Sequence, residues 1–303
     1  MEMKSDEELD KLLSVPENCI DLNQFLNCFK YPVSLLQTKK GLSEAVKLVS
    51  DNIQSQGVIY AEIRFAPQLH TEKSMTQEDA IKAVLEGAKR TSLKVNFILC
   101  FLRGSKTDEK LKKNNYETLR LAKKYLRKDG GVVAVDLAGA EALYPTSDYK
   151  ELFDEVKKNG IPFTIHAGEA DGAESVKEAI KFGTKRIRHG VRAYEDPEVV
   201  KLIKEKGIYL EMCPTSNIQT CAISNMKKYP FMDFLSDGIN VTLNTDDMGI
   251  ERTTLPKEFE YIKNSFGLTD EQETKILLNS IDAAFTTEEV KNDLRRKIKY
   301  RFI

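Results

Sequence analysis

The feature that most constrains this chain is an alternation, repeated seven times, of short β-rich runs with longer amphipathic stretches. The runs are 58–65, 95–102, 132–136, 162–166, 186–189, 208–212 and 240–244. Most are nearly continuous in branched and aromatic apolar residues, as parallel strands covered on both faces require. Helical starts and stops punctuate the stretches between them. Thr76-Gln77-Glu78-Asp79 reads as an N-cap with acids in the first turn, and Gly183 and Gly207 each stand where a helix ends. Such β–α repetition predicts a parallel sheet with helical crossovers, either doubly wound and open or closed into a barrel. No Gly-x-Gly-x-x-Gly or Walker loop follows any run, which speaks against a nucleotide-cofactor fold. The first 55 residues or so and the tail after Asn244 read as helical.

At 303 residues the chain exceeds an ordinary domain yet suits an α/β barrel of about 250 residues with insertions. With no linker or low-complexity tract, one domain over 1–303 is expected. A formal net charge of −1 offers no field to recruit nucleic acid or anionic lipid. The basic runs 110–113 and 295–299 are balanced by nearby acids and read as solvated helix faces. Five cysteines without a Cys-x-x-Cys pair fit reduced thiols. The acidic start, Met1-Glu2-Met3-Lys4-Ser5-Asp6, is no signal peptide, and no apolar run is long enough for a membrane span. A cytoplasmic protein is the expectation.

Histidine is scarce: only His70, His166 and His189. The last two close predicted strands, where barrel active sites are built. So do Asp136, the 211–217 segment and Asp246-Asp247. His166 taken alone is as readily a buried structural histidine as a ligand. The tail Ala167-Gly168-Glu169 shifts the balance: two small residues allow a sharp turn, and a carboxyl lands beside the imidazole. A histidine for metal and a glutamate for protons is the pairing that metal-assisted hydrolysis needs. Asp246-Asp247 reads either as a helix N-cap or as a metal ligand beside a substrate hydrogen-bonder; opposite a histidine the second is the better account. His189 is open between third ligand, base and core residue. His70 reads as unspecialised, and Cys213 as an uninvolved thiol under a substrate loop.

Together these motifs resemble the adenosine deaminase family of amidohydrolase-type barrels, nearly end to end and in order. Ala61-Glu62-Ile63-Arg64-Phe65-Ala66-Pro67 looks like the family's second strand, and Asp136-Leu137-Ala138-Gly139 like its fourth. Ile165-His166-Ala167-Gly168-Glu169, Arg188-His189-Gly190, Cys213-Pro214-Thr215-Ser216-Asn217 and Asn244-Thr245-Asp246-Asp247 follow as the fifth to eighth. The resemblance implies a TIM-type (β/α)8 barrel and one zinc ion held by His166 and Asp246. It also implies hydrolytic deamination of adenosine and deoxyadenosine. Glu169 would protonate the purine N1, and His189 would orient or deprotonate the zinc-bound water. Asp246 would also steer that water, Asp247 would bond N7, and Gly139 would offer its N–H to N3. Phe25 and Phe29 would line the purine pocket. The expected partner is a small purine nucleoside, with no nucleic acid and no membrane.

The sequence departs from the family pattern in its first half. Family members open on a strand carrying His-x-His, whose histidines ligate zinc, and this sequence has no His-x-His. A closed barrel takes eight strands, and seven runs are counted. Both point to a barrel that is N-terminally incomplete, missing its first strand, with weak zinc binding and impaired turnover. Arg188 and Cys221 stand where the family usually has glycine. The alternatives are deamination of adenine or an adenine nucleotide, or a catalytically inactive purine-binding fragment.

Overall fold

A computed structural model describes residues 5–299; Met1 to Lys4, read above as part of the N-terminal stretch, lie outside the described residues. All seven predicted runs form strands: β1 (Tyr60–Phe65), β2 (Lys94–Leu102), β3 (Val132–Ala138), β4 (Thr164–Ala167), β5 (Arg186–His189), β6 (Tyr209–Met212) and β7 (Asn240–Leu243). β3 runs two residues past Asp136 because Leu137 and Ala138 still pair with Phe101 and Leu102 of β2. Val58 and Ile59 stay outside β1.

Every pairing is parallel, in the order β1-β2-β3 and β4-β5-β6-β7. A parallel bridge between Val135 and Phe163, with Val135 N–H donating to the Pro162 carbonyl at 3.0 Å, joins the two sets. The strand order therefore follows the chain without reversal, which is barrel topology; a doubly wound sheet reverses at a switch point. No ladder joins β1 to β7 among the described residues.

Side chains carry the curl of the sheet across its interior. On β1, Glu62 pairs with Arg186 of β5 at 2.5 Å, and Arg64 pairs with Asp136 of β3 at 2.6 Å and with Glu211 of β6. Arg186 also bonds Glu211, at 2.7 Å. Alternation along a strand explains the layering, since residues two apart share a face. The inward face is thus ionic, while the outward face is apolar. Phe97, Leu99, Phe101, Ile165, Ile187 and Leu210 pack there into a continuous buried cluster with helix residues such as Ile81, Leu121, Phe153 and Val176. Burying each such side chain contributes about 1.5–3 kcal/mol.

The crossover helices are capped as the sequence predicts. Thr76 and Asp79 form a reciprocal capping box at the start of helix Gln77–Ala88. Helices Ala173–Phe182 and Pro197–Lys206 end on left-handed Gly183 and Gly207. The N-terminal stretch forms helices Asp6–Leu12, Leu22–Leu26, Lys30–Leu35 and Lys39–Ser55. No helix among the described residues is long and apolar enough to cross a membrane.

Candidate active site

The strand ends converge on one buried chamber. His166 sits on β4 and His189 ends β5, with their rings 5.3 Å apart. Ligand atoms of His166, His189 and Asp246 all lie within 4.8 Å of one another. His166 Nδ1 is 3.0 Å from Asp136, so a buried carboxylate orients the ring and leaves Nε2 facing the chamber. Burial pushes the Asp136 pKa up, but His166 and Arg64 prevail and hold it near 2.

The turn after β4 is built for Glu169. Gly168 has φ of +71°, and a Cβ there would overlap Val176, so glycine is required. Glu141 then accepts backbone N–H bonds from Gly168 (2.6 Å), Glu169 (3.0 Å), Ala170 (2.8 Å) and Asp171 (3.1 Å), and the Ser175 hydroxyl at 2.5 Å. One buried carboxylate thereby freezes the loop that carries the candidate proton donor. Glu169 Oε1 receives the Thr220 hydroxyl at 3.2 Å, and its Oε2 lies 3.4 Å from His189 Nε2.

Electrostatics divides the acids by role. Burial, then the Asp246 charge and the Glu141 charge, push Glu169 well above the ordinary carboxyl range, which favours the protonated acid. Burial also raises Asp246, but the adjoining Arg188 guanidinium outweighs it and holds Asp246 ionised. Next to it, burial and the Asp246 charge push Asp247 up to about 8. His189 is driven well below its usual value by burial, which with the Arg188 charge outweighs the opposing Asp246 charge, so its ring is neutral. It holds φ of +62°, a conformation costing a non-glycine residue about 1–3 kcal/mol and concentrated at functional sites.

Phe25 and Phe29 meet edge to face at 5.7 Å. They pack with Leu22, Ile250 and Ala170, forming an apolar cover beside the Glu169 loop and the Asp247 segment. Gly139 closes β3 at φ of +108°, on the same rim. Of the predicted site residues, His166, Glu169, His189 and Asp246 meet directly, Asp247 follows Asp246 in the chain, and Phe25 and Phe29 pack beside them against Ala170 and Ile250. His70 is not among the residues of this cluster; its Nδ1 lies 2.8 Å from the Leu36 carbonyl. Cys213 is buried, and burial pushes its thiol well up, which suits an inert thiol.

An adenosine deaminase family model matches residues 3–301. The chain belongs to the adenosine deaminase family. It is 46% identical over 302 residues to an adenosine deaminase of Haemophilus ducreyi, covering 98% of this chain and 87% of that protein. Its fold matches an adenine deaminase of Arthrobacter aurescens (TM-score 0.88, 24% identity, 100% and 91% of the two chains). It also matches a zinc-bound amidohydrolase of Burkholderia ambifaria (TM-score 0.86, 19% identity, 98% and 82%). This member of the family is a hydrolase-type enzyme on a TIM-type α/β barrel fold.

Sequence reasoning missed Glu141, Thr220 and Tyr229, and it named Asn217 without a role. Only Glu141 left a trace, two residues past the Gly139 strand end.

Proposed function

We propose that the chain catalyses hydrolytic deamination of adenosine and deoxyadenosine, yielding the corresponding inosines and ammonia. The observation that carries this reading is geometric: His189 Nε2 lies 3.4 Å from Glu169 and 3.8 Å from Asp246, with His166 beside them in one chamber. The purine enters beneath Phe25 and Phe29. Glu169 gives its proton to N1, Asp247 donates to N7, and the Gly139 N–H meets N3. Proton transfer to the ring makes C6 electrophilic. The water oxygen bonds C6 and the C6–N6 bond breaks. Of the water's two protons, one leaves with ammonia and the other restores Glu169, whose own proton stays on N1 of the product. Asp246 and His189 hold the water against C6.

A metal ion completes such a site, and the donors present fit one in type and spacing. We assign His166 Nε2 and Asp246 as the residues that would hold zinc, as their imidazole–carboxylate character and the zinc-carrying structural neighbour support. When bound, the ion supplies hydroxide near neutral pH by lowering the pKa of water. Catalytic zinc usually has three or more protein ligands, so a two-residue hold predicts weak binding.

The substrate assignment is tested by steady-state comparison of adenosine, deoxyadenosine, adenine and AMP with zinc in excess. Adenosine should exceed adenine and AMP in kcat/KM by about tenfold or more. Faster turnover of adenine or AMP would replace the substrate, and no turnover of any with zinc bound would overturn the enzyme reading.

A further inference from the structure

We propose that Asn217, oriented by Tyr229, decides which ring nitrogen of His189 carries the proton, and thereby makes His189 a hydrogen-bond donor into the chamber and not a metal ligand. The functional half of this rests on the deaminase reading above; the tautomer does not.

The Tyr229 hydroxyl donates to Asn217 Oδ1 at 3.0 Å. Asn217 Nδ2 lies 2.9 Å from His189 Nδ1. All three side chains are buried. The phenol has one proton, and Asn217 is its one hydrogen-bond partner among the described residues. An amide accepts only through oxygen and donates only through nitrogen. Giving the phenol its acceptor therefore turns Oδ1 towards Tyr229 and Nδ2 towards the imidazole. An N–H facing Nδ1 requires a lone pair there, and a neutral imidazole then carries its proton on Nε2. The reversed amide would strand the phenol proton without an acceptor in a dry interior.

Rigid supports keep the relay in place. Asn217 N–H donates to the Cys213 carbonyl at 2.9 Å, and Ile223 N–H donates to the Asn217 carbonyl at 3.1 Å, locking helix Pro214–Gln219 to the chain beyond it. The Tyr229 ring stacks on Phe231, 6.5 Å away and 11° from parallel.

His189 Nε2 is buried and has no hydrogen-bond partner. It faces Glu169 Oε2 at 3.4 Å and Asp246 Oδ2 at 3.8 Å. A donor held between two carboxyl groups, and bonded to neither, is placed for a third oxygen, that of the attacking water. Asn217 and Tyr229 are positioning residues for that donor.

The chain has three histidines, so nitrogen-15 NMR of histidine-labelled protein resolves the tautomer, with His70→Gln and His166→Gln variants for assignment. The expected result is a proton on Nε2 of His189 in the parent chain, without substrate. Asn217→Asp, whose carboxylate accepts only, should move that proton to Nδ1. It should lower kcat about tenfold or more and leave KM within about twofold. Tyr229→Phe frees the amide to turn and should give a mixture of tautomers with far-ultraviolet circular dichroism unchanged. Protonation at Nδ1 in the parent, or an unmoved Nε2 proton in both variants, would overturn the relay. Because the spectrum needs no turnover, failure of the deaminase reading leaves this result readable on its own.

Discussion

Arg188 and Asp246 form a buried ion pair at the mouth of the barrel, with guanidinium Nη2 on Asp246 Oδ1. The Ser216 hydroxyl takes Asp246 Oδ2 at 3.1 Å, and Arg188 also donates to the Thr245 carbonyl at 3.1 Å. The carboxylate that a metal ion would use is therefore already neutralised by a cation of the chain itself.

Removing that cation should separate two effects. Arg188→Ala should raise zinc affinity by about tenfold or more, since the ion no longer shares Asp246 with a guanidinium. The metal-free fold should lose about 3–5 kcal/mol, because an uncompensated buried carboxylate remains. Chelator competition and urea unfolding measure the two, and an unchanged zinc affinity would refute the competition.

Glu169→Gln keeps the shape of the side chain and removes its transferable proton. A fall in kcat of about 10²–10⁴ is expected, with the melting temperature little changed. Near-normal turnover would remove Glu169 from the proton-donor role.

Glu141→Ala tests the loop cradle independently of the chemistry. Four backbone N–H groups and the Ser175 hydroxyl lose their acceptor. A stability loss of about 2–5 kcal/mol follows if water reaches some of them, since each unmet buried donor costs about 1–3 kcal/mol. Activity should fall with it as Glu169 loses its position. Equilibrium unfolding and kcat measured together check this.

His70 links stability to pH. Burial lowers its pKa below the usual 6.5, with the Leu36 carbonyl opposing. The folded chain thus binds this proton less readily than the unfolded chain. The stability it contributes is present above 6.5 and is lost as pH falls through the lowered folded value. The His70→Gln variant should show a shallower loss of stability than the parent as the pH falls below 6.5. Equal slopes in urea titrations would exclude His70 as a source.

Much of this was legible in the sequence because it is local. The seven strands came from continuous apolar runs, and the helix ends from Thr76, Gly183 and Gly207. His166 and Glu169 stand three residues apart in one motif, as Asp246 and Asp247 are adjacent. What stayed hidden joins distant positions through space. Glu141 reaches Gly168 across 27 residues, and Arg188 reaches Asp246 across 58. The ionic interior was equally unreadable, since Glu62, Arg64, Arg186 and Glu211 look like scattered charges until strand alternation turns them inward.

The most direct test of metal-dependent deamination at this site is a zinc titration of the dialysed chain, following adenosine conversion to inosine. Turnover should be absent after chelation, appear as zinc is added, and saturate as one ion binds per chain. Turnover that survives chelation, or one bound zinc per chain with no adenosine turnover, would contradict it.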